Sequence, residues 1–147
     1  MKESIIKEIG SLIEKYDLKF SFSKNFHTSD YIKKFINRID WYRISQYQTL
    51  SEDFIREFQN KVNWAYISKY QKLSENFMRE FQNKVNWYLI SIQQNLSEKF
   101  IREFKNEVHW DMISKYQTLS ELFIKEFKHK INLSTLFENG NIKISIT

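Results

Sequence analysis

At 147 residues the chain is long enough for one domain with a continuous core, and its 41% apolar and 28% charged residues are ordinary for a soluble protein. The absence of Cys excludes a disulfide framework and a thiolate metal site, and no Pro with only two Gly leaves too few turn residues for a sheet-rich fold, so the composition points to an all-α chain. The net charge of +5 is spread thinly: the first 40 residues carry +2 and four internal repeats carry 0, +2, 0 and +1, which excludes a basic arm or tail.

Residues 2–16 read as an amphipathic helix, with Ile5, Ile6, Ile9, Leu12, Ile13 and Tyr16 at helical spacing between Lys and Glu. Such a helix suits a cap over the first apolar face of a repeat array; a membrane-surface or partner-binding role is the sharper reading. Its charged start is unlike a signal peptide, and no apolar run approaches the roughly 20 residues that span a bilayer. The expectation is an intracellular protein. Residues 18–40 resemble a worn repeat: 31–40 match 54–63 in pattern, whereas Lys19 to His27 do not, and the alternating Phe20 and Phe22 suggest an irregular entry.

Four clear copies of a 23-residue unit follow, at 41–63, 64–86, 87–109 and 110–132. A continuous helix is excluded by rotation: at about 100° per residue, 23 residues turn an apolar stripe by about 140° per repeat, which no single partner surface follows. The chain must break inside each unit. Asp40, Asn63 and Asn86 before Trp, and Ser51, Ser74, Ser97 and Ser120 before Glu, are N-cap types that mark the breaks, and His109 is a weaker cap. Each unit therefore reads as helix A, Trp41–Tyr47 in the first copy, and helix B, roughly 52–61. Trp41, Ile44, Ser45 and Gln48 share one face, and Phe54, Ile55, Phe58 and Val62 share another, with Leu50 at the turn. Helices this short are not stable alone. The fold class is an all-α solenoid of four helix-turn-helix repeats, with degenerate caps at 1–40 and 133–147, all one folded unit. Past the last repeat, 133–138 suggests one more short helix, Asn139 and Gly140 a turn, and Ile142–Thr147 a strand, a frayed end or a segment that pairs with another chain.

The motif W-x-x-I-S-x-x-Q-x-L-S-E-x-F-I-x-E-F, at 41–58, 64–81 (with Met78 for Ile), 87–104 and 110–127, resembles short repeats in proteins of giant DNA viruses and large phages. The resemblance covers roughly 41–132. It implies a viral or phage origin and a repeat-protein interaction role, and it brings no catalytic motif. Residues 1–40 and 133–147 depart from it.

Nothing in the pattern forms a catalytic set. His27, His109 and His129 are scattered, and the single Glu126-to-His129 spacing lacks the second copy and further carboxylates of a metal site. Two isolated glycines cannot make a phosphate loop, and no Ser lies in a nucleophile elbow. The expectation is a non-enzyme with no catalytic residue, no metal, no cofactor and no small-molecule substrate. The carboxylates read instead as i,i+4 partners: Glu52–Arg56, Glu75–Arg79, Glu98–Arg102 and Glu121–Lys125, with Glu57–Lys61, Glu80–Lys84 and Glu126–Lys130 beside them. Trp41 and its copies share the core phase, so packing outweighs stacking on bases. Gln48, Gln71, Gln94 and Gln117 fall at the core edge and read as binding backbone at the A–B turn of the next unit.

Function is sought where the copies differ, because stacking does not dictate those positions. On helix A these are Tyr42, Arg43, Tyr66, Lys69, Tyr88, Leu89, Ile92, Asp111, Met112 and Lys115. They either cover gaps between units or form a binding band, and Tyr, Met and Arg are favoured at interfaces. The leading expectation is a stoichiometric inhibitor of a host protein, such as a defence component, acting in the host-cell cytoplasm. The alternatives are nucleic-acid binding, supported by Lys69, Lys72, Lys115, Lys128 and Lys130, and self-assembly through an end face or the tail.

Overall fold

A computed structural model describes residues 1–15 and 36–143. The entry segment with its alternating phenylalanines and most of the worn repeat lie outside the described residues, as do residues 144–147 of the tail. Among the described residues there are ten helices: α1 (Glu3–Lys15), α2 (Trp41–Tyr47), α3 (Glu52–Glu57), α4 (Trp64–Tyr70), α5 (Glu75–Glu80), α6 (Trp87–Gln93), α7 (Glu98–Glu103), α8 (Trp110–Tyr116), α9 (Glu121–Glu126) and α10 (Leu133–Glu138). Two-residue strands β1 (Leu119–Ser120) and β2 (Ile142–Lys143) complete them. The fold is an all-α repeat solenoid of 23-residue Trp-containing units. It comprises two compact units, Met1–Asn63 and Trp64–Thr147.

Seven of the helices start where a polar side chain caps them. Ser51 Oγ accepts from Phe54 N at 3.1 Å, Ser74 from Phe77 N at 3.1 Å, Ser97 from Phe100 N at 3.1 Å and Ser120 from Phe123 N at 3.3 Å. Asp40, Asn86 and Asn132 cap α2, α6 and α10 in the same way. His109 makes no side-chain cap bond at α8, as its weaker capping chemistry implies.

The core is formed by the expected faces. Phe54, Ile55, Phe77, Phe100, Ile101 and Phe123 are fully buried, and Ile67, Ile90 and Ile113 join them from the A helices. Two expectations are corrected. Helix B stops at the Glu of the motif (Glu57, Glu80, Glu103, Glu126), not four residues later. The following Phe leaves the helical conformation, with φ −107° and ψ 26° at Phe58, and the polar Gln-Asn-Lys stretch after it turns the chain back toward the next Trp. The Glu57–Lys61 and Glu126–Lys130 pairs need a helix that no longer exists there. Lys61 and Lys130 lie over the rings of Trp41 and Trp110 instead, at 6.0 and 5.6 Å. The Trp side chains are half-buried and not central: each rests on the second Phe of its own unit, with ring centroids 4.8–5.1 Å apart.

In the second unit α4 packs on α6, α6 on α8 and α8 on α10. Buried glutamines tie these layers together. Gln94 Nε2 donates to the Ser68 and Gln71 carbonyls at 3.2 and 2.8 Å, and its Oε1 accepts from Leu73 N at 3.1 Å. Gln117 repeats this with the Ser91 and Gln94 carbonyls and Leu96 N, at 3.1, 2.8 and 3.0 Å. The amide thus binds the turn of the preceding repeat, not the following one. It satisfies the carbonyls that a helix C-terminus leaves open. A second tie runs through helix B, where Glu75 and Glu98 accept from Ser97 N and Ser120 N at 2.7 and 2.6 Å. The recurrent Ser of helix A joins the ends of its own repeat. Ser68 Oγ donates to the Trp64 carbonyl at 2.7 Å and accepts from Asn86 N at 2.9 Å, and Ser91 and Ser114 do likewise with His109 and Asn132.

The array is closed by stand-ins for these ties. In the first unit α1 packs on α3 through its Ile5, Ile9 and Leu12 face, and Glu8 takes Ser51 N at 2.9 Å and also its hydroxyl. Glu8 does there what Glu75 and Glu98 do for the following repeats. At the last repeat the next residue in Gln register is Gly140, in the left-handed region at φ 65°. That turn brings the Asn141 carbonyl to Leu119 N at 2.9 Å, in place of a Gln Oε1, and the Asn141 amide to the Lys115 carbonyl. Of the outcomes open for the tail, its described part pairs inside the chain, with β2 parallel to β1.

Gln94→Ala leaves Leu73 N without its buried acceptor, so urea unfolding should show a loss of about 2 kcal/mol or more, whereas the exposed Gln93→Ala should stay within about 0.5 kcal/mol. At the first unit the Lys2 ammonium, 3.0 Å away, holds the Asp53 carboxyl below its ordinary value, with Arg56 adding to it. A depressed carboxylate stabilises the fold above its unfolded pKa and loses that contribution as the pH falls through the folded one. Lys2→Ala should therefore raise the Asp53 pKa toward the ordinary range in an NMR titration.

Candidate partner-binding face

The two sides of each repeat use their polar groups differently. On the helix-B side of the second unit, Arg79 pairs with Glu75 at 3.5 Å and Glu103 at 2.9 Å, and Arg102 with Glu98 at 3.8 Å and Glu126 at 2.9 Å. These pairs join neighbouring repeats and leave a zwitterionic ridge. An open depression of about 300 Å³ beside them is lined by the paired Arg79 and Glu103 and by Glu107. No group of three His, Asp or Glu able to hold a metal occurs among the described residues.

The outer side of helix A is different. In the second unit Lys69, Tyr88, Asp111 and Lys115 are exposed, and Tyr66, Leu89, Ile92 and Met112 are half-buried. In the first unit Tyr42 and Arg43 are exposed on α2. The structure therefore places all ten sequence-selected residues at the surface or its margin. Each of four of them contacts a neighbouring ring, and one of these pairs, Tyr66 and Tyr70, is four apart on its helix. Tyr66 meets Tyr70 edge-on at 5.6 Å, Lys69 lies over the Tyr70 ring at 4.9 Å and Lys115 over Tyr116 at 5.4 Å. Tyr88 contacts His109 edge-on at 5.1 Å, which gives the weak cap residue a place in the surface.

Sequence reasoning passed over Tyr47, Tyr70 and Tyr116, the last residues of their A helices. They recur, and recurrence reads as a packing requirement. They are nevertheless 65%, 45% and 46% exposed, as open to solvent as the variable Tyr88 at 45%. The available signal was Gln93, which stands in their place in the third repeat. A ring that stacking required would not give way to an amide.

A groove of about 370 Å³ opens between the C-terminal ends of α4 and α6. Lys69, Tyr70 and Lys72 line it from one repeat, and Gln93 and Asn95 from the next. Gln71 and Gln94 also border it but are buried, and the Gln94 amide is taken up by its three backbone bonds. Gln93 and Asn95 were not among the sequence-selected residues, and Lys72 was selected only for the nucleic-acid alternative.

No protein-family model, curated protein or solved structure matches the chain. No helix among the described residues is long and apolar enough to cross a membrane.

Surface and core should separate cleanly on denaturation. Tyr116→Ala should change stability by less than about 0.5 kcal/mol, whereas Ile113→Ala, fully buried on the same helix, should cost about 2–5 kcal/mol.

Proposed function

We propose that the chain is a non-enzymatic binding protein that holds a host protein stoichiometrically, through the outer side of its A helices, and inhibits it by occupancy. The observation that carries this reading is the exposure of Tyr70, Tyr88 and Tyr116, at 45–46%, on helices whose other faces are fully committed to stacking. Large aromatics impose an apolar cost in water that a partner surface relieves, and tyrosine loses little rotamer freedom on binding. Around them stand half-buried Leu89, Ile92 and Met112, the mixed composition of an interface centre with a polar margin. The likeness of the repeat motif to those of giant viruses and large phages supports a virus or phage as the source and the host-cell interior as the place of action; a defence component is a partner of the right kind.

Nucleic acid is the second reading, favoured by Lys69 and Lys115, each poised over a tyrosine ring as in single-strand binding platforms. The two readings part in one measurement series. Immobilised chain should capture a defined host protein near one-to-one. Tyr88→Ala with Tyr116→Ala should lower that capture by about tenfold with unchanged helical circular dichroism. A shifted single-stranded oligonucleotide, released steeply by salt, with no protein retained, would replace this reading with the second.

A further inference from the structure

The four repeats keep the same residue at the positions that packing and capping use, so a departure elsewhere marks a side chain that stacking does not dictate. Several departures converge on the groove between α4 and α6. Position 93 is Gln where the other repeats carry Tyr47, Tyr70 and Tyr116, which removes a ring from the groove wall. Position 72 is Lys where Thr49 and Thr118 stand, and position 95 is Asn at the same place in the next repeat. Lys69 completes the set; Gln46 and Ile92 occupy its register in the first and third repeats.

The result is a concave site with two ammonium groups, four amides, of which Gln71 and Gln94 are buried, and no carboxylate among its described lining residues. Neither Lys69 nor Lys72 makes an ion pair among the described residues, unlike Arg79 and Arg102 on the opposite side. Lys69 is held over the Tyr70 ring, so part of the entropy of fixing an anion is already spent. The chemistry that complements this set is a carboxylate. The half-buried Leu89, one helical turn before Gln93 on α6, suits an apolar side chain of the same ligand. Two ammonium groups, with the Asp111 carboxylate exposed on α8, fall short of the run of basic side chains that a nucleic-acid backbone neutralises.

We propose that this groove receives an acidic side chain of an extended peptide segment of the partner, with neighbouring apolar residues of that segment on α6. This assignment rests on the protein-binding reading above and gives the partner its chemistry.

The test uses the whole chain and three fluorescent probes: a peptide of about ten residues alternating glutamate and leucine, the same peptide with lysine for glutamate, and a single-stranded oligothymidylate of similar length. Anisotropy should show binding of the acidic peptide that weakens between about 50 and about 300 mM salt, and none of the basic one. The double variant Lys72→Thr with Gln93→Tyr restores residues that other repeats already carry, so it keeps the fold; it should bind the acidic peptide about tenfold more weakly. Lys99→Ala, exposed on α7 and outside the groove, should bind as the parent does. Absence of acidic-peptide binding, equal binding by the double variant, or tighter binding of the oligothymidylate overturns the assignment. Loss of host-protein capture by the Tyr88→Ala, Tyr116→Ala variant, with full capture by the double variant, leaves the protein-binding reading standing and removes only the groove.

Discussion

The buried glutamine amide between successive repeats is the interaction on which the second unit depends. A primary amide offers two donors and an acceptor, and Gln94 and Gln117 use all three kinds of contact on the turn behind them. The bonds end on backbone, so they fix the distance and register between layers whatever side chains the layers carry. They also remove the penalty of ending a seven-residue helix inside a protein, where its last carbonyls have no intrahelical partner. An unfilled site would leave several buried polar groups unmatched at once, which makes the 23-residue spacing hard to alter.

Helices of six and seven residues gain little from their own hydrogen bonds, so they persist because every end is tied. The Ser of helix A ties a repeat to its own exit, the Ser before helix B starts that helix, and the Glu that opens helix B reaches the following repeat. At the two ends of the four clear repeats a different residue supplies the corresponding group. Glu8 on α1 does so for Ser51, and the backbone of Asn141 does so for Leu119. The second substitution needs the left-handed Gly140, since only that turn returns the chain to the exposed edge of β1.

This economy decides where function can reside. The repeated polar residues of the core and the helix-B ridge are engaged with one another, and the exposed side of helix A has no such duty. Sequence drift there carries no stacking penalty, and the side chains that have accumulated are aromatic, apolar and cationic, not the Glu and Lys mixture typical of a solvated helix face. The groove between α4 and α6 combines Gln93 in the place of a Tyr with cations at 69 and 72.

The sequence by itself determined the repeat length, the break within each unit, the capping residues, the buried Phe and Ile positions, helix α10 and the variable band. All of these follow from local periodicity and from the hydrogen-bonding habits of Ser, Asn and Asp. It overextended helix B, because helical spacing continues through Val62 even after the backbone has turned at Phe58. It set the glutamines on the wrong neighbour and passed over Tyr70 and its equivalents. Only the tertiary structure decided those points, since the partner of a long polar side chain and the exposure of a ring depend on how the adjacent repeat is rotated, and one repeat's sequence carries no record of that rotation. The stand-ins Glu8 and Asn141 were illegible for the same reason: neither matches the residue it replaces, and only its position against the neighbouring turn reveals the role.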